Sequence, residues 1–252
     1  MFDSGVGGMS IVMAIRETMP SADILYVADR GRAPYGTRTL QEVADISHDV
    51  AEWLIDRGAT TLVVACNTAS AAALKSLREA HAIPIVGMEP AVKPAGASTR
   101  SGVVGVFATA ATFQGMLFQS VVDRHAADIT VLTAICPEWV DLVESGNAQD
   151  EGANLLISPI VDRMTENGAD VLVLGCTHFS FLRAAISRAA GEGVTVIDPS
   201  EAVAAQTKRV ASAVGGDGRL SLAASADLSE FDRLVDRLTG LQADEAVLPF
   251  PS

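Results

Sequence analysis

The chain has 252 residues, of which 49% are hydrophobic and 19% charged, enough for one large or two modest cores and a balance that excludes a disordered chain. Its net charge of −13, from 18 basic and 31 acidic residues with no basic cluster, excludes nucleic acid and an anionic membrane surface as expected partners. Three cysteines without a close pair make no disulfide framework, and no apolar run approaches the roughly 18 residues of a bilayer span. No signal peptide is read in the opening Met1-Phe2-Asp3-Ser4-Gly5, so a reducing cytosol and a cytoplasmic location are expected.

The chain opens on a Gly-rich turn, Asp3-Ser-Gly-Val-Gly-Gly-Met-Ser10, leading into a predicted helix over Ile11–Met19. Backbone N–H groups in such a turn suit an anion such as a carboxylate. With Asp29 closing the next apolar run, the opening superficially matches a dinucleotide fingerprint. Ser10 replaces the third glycine and almost no strand precedes the turn, so that reading is rejected.

Beyond it, short apolar runs alternate with segments of helical period. Ile24–Ala28 reads as a buried strand, Thr39–Arg57 as a helix, Thr61–Ala65 as a strand, Ala69–His81 as a helix and Ile83–Val86 as a strand. Two prolines interrupt the pattern in Glu89–Ala95, where a passage between two lobes is expected. The alternation then resumes with strands at Val103–Phe107, Ile129–Leu132, Val171–Leu174 and Val194–Ile197, and helices at Phe113–His125, Asn154–Asn167 and Phe181–Ala190. Continuously apolar strands between helices predict an α/β fold with mainly parallel sheets covered by helices on both faces, and sites at the carboxyl ends of the strands.

The segments around Cys66 and Cys176 repeat one form: four apolar residues, a small residue, cysteine, a polar pair, then a helix. The repeat predicts two pseudo-symmetric α/β lobes facing each other across a cleft. A lone free cysteine is more often a packing residue than a catalyst, because thiols are among the most buried side chains. Two cysteines in matching strand-end positions reverse that preference. The N–H groups and dipole of the following helix are expected to favour thiolate at each. Cys136, in Ala134-Ile-Cys-Pro-Glu138, lacks this setting and reads as structural. No C-x-x-C or H-x-x-x-H pair supports a metal site, and a Cys176–His178 acyl-transfer pair leaves Cys66 unexplained.

The runs Phe2–Gly8, Ala33-Pro-Tyr-Gly36, Val64-Ala-Cys-Asn-Thr-Ala-Ser70, Cys136-Pro with Leu142–Gly146, and Leu174-Gly-Cys-Thr-His178 resemble those of glutamate racemases, in the same order, as far as about Ser200. The tail Leu220–Gly240 is similar to their closing strand and helix, less specifically. The resemblance implies two α/β domains, residues 1–92 with 203–252 and residues 93–202, with the active site in the cleft between them. It implies interconversion of L- and D-glutamate, supply of D-glutamate for peptidoglycan, a homodimer, and catalysis with no PLP, metal or nucleotide.

Carried over position by position, Cys66 and Cys176 match the two catalytic cysteines, Cys66 serving the D-enantiomer and Cys176 the L-enantiomer. Asp3, Glu144 and His178 match side chains that assist proton transfer. Ser4, Pro34, Tyr35, Gly36 and Asn67 match substrate-holding positions, as do Thr68, Thr109 and Thr177, with Asp3 and His178 also lining the substrate. Asp29 matches a family aspartate, although Ala28-Asp-Arg-Gly31 departs from the usual Gly-Asp-Thr form. Only Met1 precedes Phe2, which is expected to shorten the first strand and loosen Asp3 and Ser4. Relatives acting on aspartate tend to carry Glu after the second Cys-Thr, so His178 argues against that substrate. A single-thiol decarboxylase lacks one cysteine of the pair, and a catalytically idle binding protein has no need of either.

Overall fold

The computed structural model describes residues 1–125, 129–211 and 215–246. The first part of the chain runs β1 (Phe2–Asp3), α1 (Met9–Thr18), β2 (Ile24–Ala28), α2 (Leu40–Asp56), β3 (Leu62–Val64), α3 (Asn67–Ala80), β4 (Ile85–Gly87) and α4 (Val92–Ser98). Then come β5 (Val103–Ala108), α5 (Ala110–Gln114), α6 (Met116–His125), β6 (Thr130–Ile135), α7 (Pro137–Glu144), α8 (Glu151–Glu166), β7 (Val171–Leu174), α9 (Arg183–Ala190) and β8 (Thr195–Ile197). The chain closes with α10 (Ser200–Val210), β9 (Leu220–Ala224), α11 (Leu228–Thr239) and β10 (Glu245–Ala246).

Two wholly parallel sheets result, in the orders β10-β9-β2-β1-β3-β4 and β6-β5-β7-β8. The closing strands join the first sheet, β9 pairing with β2 along its whole length. Apolar side chains fill both faces. Phe2, Val27 and Val64 pack under α2 and α3, while Val104, Val106 and Val173 pack with Val92 and Phe118. A third cluster runs from α1 through Phe231 to Trp139 and Phe179, joining the inner faces of the two sheets. Trp139 sits at its centre, with the Phe107 and Phe179 rings 5.0 and 5.1 Å away.

Several expectations need correction. The passage between the sheets is helical from Val92, because Pro94 falls in the first turn of α4, where its missing N–H breaks no helical hydrogen bond. Ile129–Leu132 was expected as a buried strand, but β6 is a sheet edge and several of its side chains are exposed, Ile135 to 55%. Phe113–His125 divides into α5 and α6 around Gly115, and Phe181–Ala190 begins as a tight three-residue-per-turn segment, Thr177–Leu182, before α9. Among the described residues no helix is long and apolar enough to cross a membrane.

Candidate active site

Parallel sheets present their strand ends at one edge, and both cysteines lie at such carboxyl ends. β3 delivers Cys66 as the N-cap of α3, with Sγ accepting from the Ala69 N–H at 3.5 Å. β7, through Gly175, delivers Cys176 to the turn at Thr177–Leu182. A Cβ on Gly175 would come within 2.7 Å of the Phe107 carbonyl, so β5 and the Cys176 turn approach closely only because the residue is glycine. The two cysteines line one cavity of about 220 Å³.

The same cavity is lined by Asp3, Ser4, Pro34, Tyr35, Gly36, Asn67, Thr68, Thr109, Thr177 and His178, every one expected from the sequence. Glu144 is the exception. It stands behind His178, with Oε1 2.7 Å from Nε2, so its reach toward a substrate runs through the imidazole. Cys136 is fully buried in the cluster of Trp139 and does not itself line the cavity, and its thiol is pushed up to about 12, chiefly by burial.

The Gly-rich turn does hold anions, but they are the protein's own carboxylates. The Ser4 and Gly8 N–H groups donate to Asp3 at 2.7 and 2.6 Å, and the Val6 N–H donates to Glu144 Oε1 at 2.7 Å. Thr177 Oγ1 donates to Asp3 Oδ2 across the cleft at 3.0 Å. Asp3 is therefore fixed despite the two-residue β1, contrary to the expected looseness. The turn must be glycine for steric reasons. A Cβ at Gly5 would lie 1.9 Å from Glu144 Oε1, and one at Gly7 2.5 Å from His178 Nδ1.

The two thiols have different surroundings. Burial pushes the Cys66 thiol well up, and the neighbouring Asp3 adds to the effect while the Ala69 N–H opposes it. The expectation that the helix favours thiolate at both cysteines therefore fails at Cys66, where desolvation outweighs the helix N-terminus. Asp3 itself is raised by burial, with the His178 charge and the Cys66 contact working against the shift. Cys176 faces a different partner. Its Sγ lies 3.7 Å from His178 Nδ1. Burial works against charge on His178, but Cys176 and Glu144 outweigh it and hold the imidazole well above its ordinary 6.5. Glu144 is penalised by burial, yet His178, the Val6 N–H and Arg30 hold it below its ordinary 4.5. His178 is thus held between the Cys176 sulfur and the Glu144 carboxylate, both of which favour its charged form.

Around the thiols the cavity is mostly neutral. No lysine or arginine is among its lining residues. Hydroxyls meet across the cleft instead, with Thr68 Oγ1 and Thr109 Oγ1 2.9 Å apart and Thr112 Oγ1 2.9 Å from Thr109. Asn67 Oδ1 is buried with no hydrogen-bond partner, an acceptor ready for a ligand donor. Tyr35 donates its hydroxyl to the buried Asp29, which also receives Arg32 Nε at 2.8 Å, so Asp29 orients the Tyr35 wall. Thr37, Ala110, Ile135, Pro137, Val140 and Asp141 also line the cavity and were not expected from the sequence, although Cys136-Pro137 marked their neighbourhood. No group of three or more His, Cys, Asp or Glu among the described residues is arranged to hold a metal. A cavity of about 420 Å³ at the opposite, amino end of the first sheet contains neither cysteine.

Two parallel α/β sheets with paired strand-end cysteines in one cleft are the architecture of a racemase. The chain belongs to the Asp/Glu/Hydantoin racemase family, whose model matches residues 9–207. The glutamate racemase of Herpetosiphon aurantiacus is 46% identical over 213 residues, 84% of each chain. Among solved structures, Escherichia coli glutamate racemase in complex with L-glutamate and the activator UDP-MurNAc-ala has a TM-score of 0.87 at 27% identity, covering 98% of this chain and 96% of that one. Glutamate racemase from Francisella tularensis in complex with D-glutamate has a TM-score of 0.83 at 25% identity, covering 99% and 95%.

Proposed function

We propose that the protein interconverts L- and D-glutamate by a two-thiol proton transfer, Cys66 and Cys176 standing on opposite faces of the substrate's α-carbon. The observation that carries this reading is the pair of strand-end cysteines lining one small cavity, each with its own proton partner. Relatives that the chain matches over most of its length are glutamate racemases, and two of the solved structures hold L- and D-glutamate.

For L-glutamate, the Cys176 sulfur, paired with the His178 imidazolium, removes the α-proton. The Cys66 thiol, kept protonated by burial, donates a proton to the other face. For D-glutamate the roles reverse, and Asp3 is placed to take the Cys66 proton. The negative charge that develops on the α-carbon and its carboxylate is stabilised by fixed donors: the Thr68, Thr109 and Thr177 hydroxyls and the N–H groups at the start of α3. Asn67 Oδ1 accepts from the substrate ammonium. Tyr35, Pro34, Gly36 and Ser4 complete the walls.

No step of this scheme needs an electron sink beyond these groups. The product serves peptidoglycan assembly in the cytoplasm, and the active species is a homodimer. The two domains are residues 1–92 with 203–252 and residues 93–202.

The test is racemisation of glutamate and of aspartate by the purified protein, dialysed and without added PLP, followed by circular dichroism. Optical activity decays from either glutamate enantiomer and not from aspartate if the reading holds. Aspartate as the better substrate overturns the substrate assignment, and no decay with either amino acid overturns the reading.

A further inference from the structure

Glu144 supports His178 through one oxygen and leaves the other to be held by something else. Oε1 accepts the Val6 N–H and faces His178 Nε2, both at 2.7 Å, while Oε2 lies 3.7 Å from Arg30 Nε. Arg30 begins the turn after β2, and its side chain is only 16% exposed. Its NH2 group lies 3.6 Å from Glu230 Oε1 in the first turn of α11. A chain of alternating charge therefore runs from α11 through Arg30 and Glu144 to His178 and Cys176. It crosses from the elements of the first sheet to α7 of the second.

We propose that Arg30 is a positioning residue for the proton-transfer step: anchored by Glu230, it holds the Glu144 carboxylate against His178 and so keeps the imidazole aimed at Cys176. This rests on the two-thiol reading above. Without the guanidinium, Glu144 Oε2 loses its cationic partner and the carboxylate is free to turn toward solvent, which reaches 24% of the side chain. The partial burial of Arg30 limits screening, which distinguishes this pair from a surface ion pair. Few other charges bear on the imidazole. His178 faces Cys176 and Glu144, with Asp3 across the cleft, and Glu144 faces His178, Arg30 and the Tyr26 phenol. Arg30 reaches Cys176 through Glu144 and His178, and reaches Cys66 only with Asp3 interposed as well, so its effect falls mainly on the Cys176 side.

Two measurements on Arg30→Gln, with Arg30→Lys and Glu230→Gln beside it, test the proposal. In protein with isotopically labelled histidine, the NMR titration midpoint of His178 falls by about 1 pH unit in Arg30→Gln, the scale of a weakened carboxylate contact. It falls less in Glu230→Gln and is largely restored in Arg30→Lys. A merely repelling cation predicts the opposite, a rise on removal. An unchanged or raised midpoint overturns the proposal whatever the rates. The second measurement places Arg30→Gln in Cys66→Ser and Cys176→Ser backgrounds, which isolate one thiol each, and follows α-proton exchange in D2O. Exchange through Cys176 falls about tenfold and exchange through Cys66 stays within about twofold. Equal losses on both sides show a general structural role and overturn the proposal. If neither single-thiol protein exchanges either enantiomer, the two-thiol reading fails, and the His178 midpoint still decides the role of Arg30.

Discussion

Glu144 Oε1 and His178 Nε2 are 2.7 Å apart, and the pair joins a helix-end carboxylate to a strand-end imidazole that touches Cys176 on its other side. Both groups are pulled toward their charged forms, Glu144 below 4.5 and His178 well above 6.5. The pair therefore links folding to pH in two directions. The depressed carboxylate contributes stability above its unfolded value, which is lost as pH falls through the folded one. The raised imidazole contributes stability below its unfolded value, which is lost as pH rises through its folded one. Glu144→Gln should thus lower the melting temperature most between about pH 4.5 and 6.5, with the gap to wild type closing at more acid and more alkaline pH. Scanning calorimetry across pH checks this, and a gap that widens steadily into the alkaline range contradicts it.

Gly7 is where the nucleotide-like reading of the opening turn gives way to a steric one. Its missing side chain leaves room for the imidazole, since a Cβ would meet His178 Nδ1 and Thr177 Oγ1, each at 2.5 Å. Gly7→Ala should cost about 1–3 kcal/mol of stability through overpacking. Activity should fall by about 100-fold, because displacement near 1 Å misplaces the proton-transfer groups. Denaturant titration and steady-state rates measure the two. Wild-type activity in a folded Gly7→Ala protein would show that His178 can move without consequence.

The Thr68–Thr109 hydroxyl contact spans the cleft at 2.9 Å and meets no cation. Thr109→Val keeps the shape and removes the donor. If the hydroxyl holds a substrate carboxylate, KM should rise by about 10- to 150-fold, the equivalent of the roughly 1.5–3 kcal/mol of a hydrogen bond to a charged group. The two enantiomers have equal free energy, so kcat/KM must fall by the same factor from either side. Initial rates with L- and D-glutamate check both statements, and an unchanged KM removes Thr109 from the binding set.

The sequence carried the parts of this site that depend on chain-local pattern. Strand, cysteine, polar pair and helix follow one another at Cys66 and at Cys176, so the thiols could be placed at strand ends before any tertiary contact was known. The motifs also named about two thirds of the cavity's lining, missing chiefly the α7 side at Ile135, Pro137, Val140 and Asp141. Relationships set by packing were not legible. That the Gly-rich turn would grip Asp3 and Glu144 depends on α7 arriving beside it from a distant part of the chain. The upward push on the Cys66 thiol follows from its burial beside Asp3, which a helix N-terminus alone does not foretell. Arg30 reads as an ordinary turn residue until α11 and α7 are folded around it. The edge position of β6 is not legible in the sequence, because an apolar run looks the same at the edge of a sheet as at its centre.

The central claim is that one thiol works on each face of the α-carbon, and removing them one at a time tests it most directly. In D2O without added PLP, Cys66→Ser should exchange the α-proton of L-glutamate while forming D-glutamate at least about 100-fold more slowly than wild type, and Cys176→Ser should show the mirror pattern with D-glutamate. Proton NMR for exchange and chiral chromatography for product follow both in one sample. Either variant racemising both enantiomers near the wild-type rate would contradict the two-thiol account.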